Sequence, residues 1–385
     1  MSKLKKSNIP YKISLCIFVV YCMVALFSPF IAGEKPILCI QNGKILFFPK
    51  NVNTSFDRAE KIKCLRPLIP YTPTTIDQNL KSGLSPFDSK SKLSPSGRHW
   101  LGTDKLGRDV ASGMVRGTNI AITIGLLAVL FCFIIGVSIG VLGGYYQQAD
   151  IKLPYIEAII LGLIFSLGTF YSIFEFLIFD SSTYLWIVSW VCMWILIYVI
   201  HTYIPWRTDK AGIRFSIDGV VLKLIEIRKS FPGIFLLLAL ISIFSVPSVW
   251  NIVFIITLLG WADFARLSRA ETLGLKNENF IISAKVLGIS DMSIIVKHIL
   301  PNIMPTLIVA ICFSIGGAIL LESTLSFLGV GLGVEDVSWG KMLAEGRNMR
   351  YWWLVFFPGF AIFVLILALN IIASKWQKSD FTITL

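Results

Sequence analysis

Histidine and cysteine are the side chains of this chain best suited to metal binding or nucleophilic chemistry. The 385 residues include three histidines and seven cysteines, and neither type shows the spacing of metal ligands. No residues form a pattern of nucleophile, base and acid. The nucleotide-binding pattern G-x(4)-G-K-[ST] is also missing from the sequence. We therefore expect no catalytic residue, no bound cofactor and no metal, and the chain is not expected to be an enzyme.

Glu322 is the charged residue whose position most suggests a function. It follows the apolar run 303–321 and stands beside Ser323 and Thr324. A charge within lipid is costly unless it faces a cavity or a partner. Glu322 therefore indicates either a polar edge near the exported mouth of a transport pathway or a helix end that water reaches.

A polar stretch at 277–302, NENFIISAKVLGISDMSIIVKHILPN, interrupts two strongly apolar segments. Residues 279–287 favour a helix, and Gly288 suits the left-handed position at which a helix stops. The first half of this stretch therefore predicts a short helix that ends at a glycine.

The second half of the stretch predicts another short helix. Ser290 or Asp291 can cap it, residues 292–299 continue it, and Pro301 is expected to end it. Two short helices joined at a glycine form a surface suited to docking another protein. The alternative is an ordinary amphipathic hairpin at the membrane interface.

The composition requires most of the chain to lie in a membrane. Apolar residues make up 55% and charged residues 15%, with a mean hydropathy of +0.74, which is too little polar surface to cover a soluble core. No long stretch alternates with the period of two that a β-barrel needs. We predict an all-α polytopic membrane protein with about eight transmembrane helices. The eight segments are 13–33, 118–146, 155–179, 184–204, 232–246, 251–265, 303–321 and 352–373.

The net charge of +12 is explained better by topology than by nucleic acid, because no folded basic face carries interleaved aromatics. Lysine and arginine cluster before the first span and within 205–230 and 266–298, whereas the turns 180–183 and 247–250 have none. The positive-inside rule then places both termini and the 266–302 loop in the cytoplasm. Residues 34–116 are accordingly exported.

Two cysteines, Cys39 and Cys64, fall in the exported segment. A disulfide between them and a pair of free thiols are both compatible with the sequence. The same segment has strand-like runs at 36–40 and 44–48. The first apolar segment is longer than a typical signal-peptide core and is interpreted as a retained anchor.

Close to the end of the exported segment stands H-W-L-G-T-D-K-L-G-R-D, residues 99–109. Thr103 or Asp104 can cap a turn, and Gly102 and Gly107 allow a tight backbone. These residues predict a structured entry to the next span. In that span Gly136, Gly140 and Gly144 recur every four residues and predict a face for close helix packing, toward a partner subunit or within the chain.

Three motifs resemble the ABC-transporter permeases of the dipeptide/oligopeptide importer family. The first is H-x-L-G-T-D-x-x-G-R-D, in which Gly102, Thr103, Asp104, Gly107, Arg108 and Asp109 match. The second is the cytoplasmic coupling loop, E-A-A-x-x-x-G-x(9)-I-x-L-P, whose positions here are Ile282, Ser283, Ala284, Gly288, His298, Leu300 and Pro301. The third is L-S-F-L-G-V-G at 325–331, continued by 338–347. Ile282 stands where the family has an acidic residue. The stretch at 33–49 is also similar to the exported extension of microcin C-type permeases.

The resemblance implies a type I ABC importer permease fold, with six core helices plus an inserted helical pair at 155–204. The expected divisions are a cytoplasmic N-terminus and signal-anchor helix at 1–33, an exported (periplasmic) segment at 34–116, a permease domain at 117–373 with its coupling loop at 266–302, and a cytoplasmic tail at 374–385. The sequence does not indicate what the inserted pair does.

The resemblance also implies the function. We expect a subunit that translocates peptides across the cell inner (cytoplasmic) membrane, paired with a second permease subunit and served by an extracytoplasmic solute-binding protein. Two separate ATP-binding subunits would dock on the coupling helices at 279–299, where Leu287 can fill a pocket and Ala284 lets the ATPase approach. The alternatives are a related importer of nickel complexes or peptide antibiotics, a secondary transporter and a membrane-anchored scaffold.

Overall fold

The computed structural model is mainly helical. It describes residues 9–34, 36–41, 44–47, 63–65, 67–76, 83–88, 99–147, 150–154, 212–244, 247–333 and 335–383. The chain divides into two compact units, Met1–Val141 with Ile225–Leu385, and Leu142–Leu224. The predicted helical pair at 155–204 lies outside the described residues.

Eleven α-helices follow one another in the described part of the chain. They are α1 (Ile9–Leu26), α2 (Ser28–Ile31), α3 (Val110–Tyr145), α4 (Ile217–Ser230), α5 (Gly233–Ile243), α6 (Val249–Leu275), α7 (Asn279–Val286), α8 (Asp291–Ile294), α9 (Leu300–Phe327), α10 (Trp339–Met349) and α11 (Trp352–Ile383). A π-helical turn, Ile295–Ile299, joins α8 to α9.

Five of the described helical stretches are long and apolar enough to cross a membrane. They are Ile9–Leu26, Val110–Tyr145, Val249–Leu275, Asp291–Phe327 and Trp352–Gln377. The predicted segment 232–246 forms a helix of only 11 residues, α5. Between α4 and α5 stands Pro232, which lacks the N–H that a continuous helix would use.

The larger unit is built around α11, which packs against α1, α9 and α10, while α9 also packs against α6 and α10. Small residues bring α3 and α6 together. A methyl group at Gly136 would meet the backbone of Trp261 and lie 2.6 Å from Phe264 Cβ, and one at Gly140 would meet the backbone of Ala265. The packing face predicted on α3 therefore serves this chain itself at these two glycines.

The helix predicted to end at Pro301 instead continues into the membrane span. In the π turn the N–H of Leu300 bonds to the carbonyl of Ile295, five residues back. Pro301 then lies in the first turn of α9, where a proline loses no helical N–H bond. The loop is thereby joined to α9 without an intervening coil.

Strands are few and short. In the larger unit β1 (Leu38–Gln41) pairs with β2 (Lys44–Phe47) and with β3 (Lys63–Leu65), all antiparallel. The first two agree with the predicted runs, and β3 was not foreseen. In the smaller unit β4 (Asp150–Pro154) pairs antiparallel with β5 (Gly212–Ser216), so a two-stranded ladder brackets the insertion.

Candidate functional site

The elbow, residues 279–299, turns at Gly288. This glycine has φ of +74°, and α7 ends in two hydrogen bonds, from Gly288 N–H to the Lys285 carbonyl (3.0 Å) and from Ile289 N–H to the Ala284 carbonyl (3.1 Å). Together they form a Schellman motif, which needs a left-handed residue at this position. The predicted glycine stop is confirmed. Ser290 stands at the N-cap of α8 without a side-chain cap.

Apolar side chains project from the elbow into solvent. Val286 and Leu287 are 82% and 79% exposed, and Met292 is 63% exposed. Ile282 and Val296 are about half exposed. Such a contiguous apolar surface at a helix turn is typical of a docking site. Val286, Met292 and Val296 were not among the predicted site residues.

The remaining predicted residues of the elbow differ in how much of their surface is exposed. Ala284 is buried and lies on the same side of α7 as the fully buried Ile281, so its methyl group faces the chain's own interior. Ser283 and Pro301 are exposed, whereas His298 and Leu300 are half-buried. The buried side of α7 packs against α8, and its opposite side remains exposed.

At the other end of the bundle, residues 99–109 form a compact loop. Both Gly102 and Gly107 have positive φ, +83° and +80°, as the predicted tight backbone requires. Asp104 caps the turn, because its Oδ1 accepts the N–H groups of Leu106 and Arg108, each at 2.8 Å. Its other oxygen accepts Arg108 Nε.

Asp109 joins the loop to α3. Its Oδ2 accepts the Ser112 N–H at 2.7 Å in the first turn of α3, and its Oδ1 lies 2.8 Å from Nδ1 of the buried His99. His99 stacks on Tyr71 with ring centroids 4.3 Å apart. Thr103, also buried, accepts the Leu84 N–H at 2.9 Å. These bonds give the loop a single rigid shape.

Helix α10 lies against this loop. Glu345 accepts the Lys105 N–H at 2.9 Å and lies 3.6 Å from Arg108. Burial raises the pKa of the Glu345 carboxyl, and the nearby Asp104 adds to the effect. A cavity of about 110 Å³, lined by both charged and apolar residues, remains between loop and helix. Asp336, one of its lining residues, pairs with Arg116 at 3.6 Å.

Glu322 belongs to this end of the bundle and is fully buried. It accepts hydrogen bonds from Ser326 at 2.8 Å and from Ser323 at 3.3 Å, and Ser338 bonds to it as well. Ser338 is the N-cap of α10, where its hydroxyl accepts the Lys341 N–H. Of the two interpretations, a water-accessible helix end is wrong. The carboxylate is instead a buried link between α9 and α10.

Two residues of α10 fit closely against their neighbours. Trp339 is fully buried, and its indole donates to the Met114 carbonyl at 3.2 Å. A methyl group at Gly340 would collide with the backbone of Ser323. Sequence reasoning matched this segment to a family motif without assigning roles to Trp339, Lys341 or Glu345. Ser338 before a short amphipathic run was the available signal for a capped helix.

Cys39 is disulfide-bonded, and the register of β1 and β3 places Cys64 directly opposite it. Cys16, Cys22, Cys132 and Cys312 are free. In the described ranges, no three His, Cys, Asp or Glu side chains come together as a metal site would require.

Comparison with known proteins identifies the transport domain. Residues 211–378 match the family of binding-protein-dependent transport system inner membrane components. The dipeptide transport system permease DppC of Bacillus subtilis is 28% identical over 76% of this chain and 71% of its own length. The glutathione transport system permease GsiD of Pectobacterium atrosepticum is 28% identical over 75% of this chain and 76% of its own.

The oligopeptide transport system permease OppC of Salmonella typhimurium is 37% identical over 41% of this chain and 52% of its own length. Among solved structures, an inward-facing methionine ABC transporter MetNI matches 69% of this chain and 96% of its own, with 14% identity and a TM-score of 0.41. Residues 211–378 thus match the inner membrane component of binding-protein-dependent transport systems, and over about three quarters of its length the chain is similar to the permeases of dipeptide and glutathione transport systems.

Proposed function

We propose that this chain is one permease subunit of an ABC importer that carries peptides across the cytoplasmic membrane. The named relatives belong to dipeptide, oligopeptide or glutathione transport systems, and all three substrates are short chains of amino acids. ATP would be hydrolysed on two separate subunits. A second permease chain would complete the pathway, and an exported binding protein would deliver the peptide.

The observation that carries this proposal is the elbow at Gly288. Its Schellman turn sets a fixed angle between α7 and α8, and Val286 and Leu287 are almost fully exposed there. Because α8 continues through the π turn into α9, a force applied at the elbow reaches a membrane span directly. A rigid apolar turn of this kind suits an ATPase that must move the spans.

The exported end supplies the opposite face of the pathway. The loop 99–109 and α10 form a hydrogen-bonded assembly around Glu345, and its preformed shape suits a delivering protein. We also propose that the disulfide of Cys39 joins it to Cys64, which faces it in the strand register. An exported, oxidising compartment would allow such a bond to persist.

The first test replaces Gly288 with aspartate in the complete importer. Aspartate tolerates left-handed backbone better than most residues, and no atom lies within 4 Å of the added Cβ. The fold should therefore survive while a charge enters the apolar docking surface. We expect peptide-stimulated ATPase activity and uptake of labelled tripeptides into proteoliposomes to fall at least about tenfold, the effect of losing roughly 1.4 kcal/mol of docking energy.

The matched control is Gly329→Asp. Gly329 also has positive φ, +81°, and open space around its Cβ position, but it follows α9 at the far end from the elbow. ATPase subunits should co-purify with this variant as with wild type. If Gly288→Asp retains both uptake and ATPase stimulation, the elbow is not the coupling site. ATP-independent flux through this chain alone would point to a secondary transporter.

A further inference from the structure

A groove where α10 meets α11 combines two arginines with an aromatic surface. It has a volume of about 510 Å³, and its lining residues are Gly346, Arg347, Arg350, Tyr351, Trp352, Val355 and Phe356. None of these lining residues is acidic. The loop and Glu345 described above lie on a different side of α10, so the groove is separate from that assembly.

Below the groove, an apolar stripe continues along α11. Trp352, Phe356, Phe360, Phe363 and Leu367 are all between 44% and 60% exposed, at spacings of three or four residues that place them on one helix face. Phe356 and Phe360 stack with centroids 5.9 Å apart. The groove therefore opens onto a surface that lipid would cover in a membrane-spanning helix.

Arg350 is held in an unusual backbone conformation. Its φ of +58° makes it the one non-glycine residue with positive φ in the described part of the chain. It ends α10, a position where glycine or asparagine costs less. Arg350 is exposed and lines the groove together with Trp352.

Arg347 is oriented by an aromatic ring. Its guanidinium carbon lies 4.5 Å from the centroid of the Phe327 ring. Stacking of this kind engages the face of the guanidinium, and its Nε donates to Asn348 Oδ1 at 3.4 Å. Two exposed arginines thus belong to the lining of an aromatic groove.

We propose that this groove binds one anionic phospholipid, with its phosphate on Arg347 and Arg350 and an acyl chain along α11. From the helix end inward, the surface offers cations, then aromatic rings, then aliphatic side chains. A phospholipid presents its phosphate, interfacial and acyl regions in the same order. A sister permease chain would instead need carboxylates to meet the two arginines. The proposal rests on the membrane topology given for the importer, which places the groove in the outer leaflet.

Lipid retention by the purified full complex tests the proposal. Native mass spectrometry would count bound lipids during titration with phosphatidylglycerol or phosphatidylcholine of identical chains. We expect wild type to prefer phosphatidylglycerol. The double variant Arg347→Gln/Arg350→Asn should lose this preference, at about fivefold in affinity for each arginine. Asparagine is chosen at 350 because it accepts the left-handed backbone.

The control is Lys105→Gln, which removes an exposed cation outside the groove and should leave lipid binding unchanged. A Phe356→Ser variant keeps both arginines and should nevertheless weaken the binding of phosphatidylglycerol. Any of three results would overturn the proposal. The arginine variant could keep the preference for phosphatidylglycerol, glycerol phosphate alone could displace the lipid, or the complex with its sister permease could retain no lipid. Binding is measured without peptide or ATP, so a failure of the transport assignment would not alter this result.

Discussion

Glu322 shows how one side chain can join two helices where water is excluded. Its carboxylate receives hydrogen bonds from three serines, and one of them, Ser338, begins α10. A buried polar group is tolerated only when its hydrogen bonds are made. The three hydroxyls therefore explain how a carboxylate is accommodated at this depth.

Replacing Glu322 separates hydrogen bonding from charge. In Glu322→Gln one acceptor oxygen remains for the serines, and we expect the thermal midpoint of the purified complex to change little. In Glu322→Ala the buried serine hydroxyls lose their acceptor, and we expect the folded state to be destabilised by about 1–3 kcal/mol. Differential scanning fluorimetry would compare the two. Equal midpoints for Gln and Ala would contradict the role given to the carboxylate.

At the scale of elements, glycines determine which helices meet closely. Gly136 and Gly140 let α3 approach the backbone of α6 around Ala265 and Ser268. Gly340 does the same for α10 on α9. In lipid, where apolar surfaces gain little by leaving the solvent, such close approach contributes much of the association.

Gly140→Leu tests this packing. A leucine side chain would enter the space of the Ala265 backbone, so α3 must move away from α6. Overpacking of this kind costs about 1–3 kcal/mol or more, and we expect reduced yield of assembled complex on size-exclusion chromatography. Gly274→Ala is the control, because nothing lies within 4 Å of its Cβ position on α6. A normal yield for Gly140→Leu would show that this contact is dispensable.

On the scale of the whole molecule, the elbow and the loop 99–109 lie at opposite ends of spans α3 and α9. Basic residues dominate the elbow side, which the positive-inside rule assigns to the cytoplasm. Because α9 continues from the elbow and ends close after Glu322, one helix extends from the elbow to the opposite end of the bundle.

This arrangement predicts which side of the membrane each end of the bundle faces, and the prediction can be measured. A Lys297→Cys variant should react with a membrane-impermeant maleimide only after the cytoplasmic face is opened. Lys105→Cys should react from outside in intact cells. Both positions are exposed in the structure, so burial would not mask the result. Labelling of position 297 from outside alone would reverse the topology and remove the proposed ATPase site.

Much of the secondary structure and topology of this protein could be predicted from its amino-acid sequence. Apolar runs longer than a bilayer indicate spans, the basic segments orient them, and Gly288 predicts the end of α7 because few other residues adopt its φ. The cap by Asp104 and the strands at 38–47 also follow from local preferences. Each of these features depends on residues that lie close together in the sequence, so a single sequence is enough to predict it.

Contacts between distant segments were decided by the tertiary structure alone. Ala284 is buried because α7 packs against α8, Glu345 meets Arg108 across more than 200 residues, and Pro301 continues a helix because a π turn precedes it. Helix packing depends on shape complementarity between side chains far apart in sequence. Local preference sets which segments are helices, and only packing sets which of their faces remain exposed for partners.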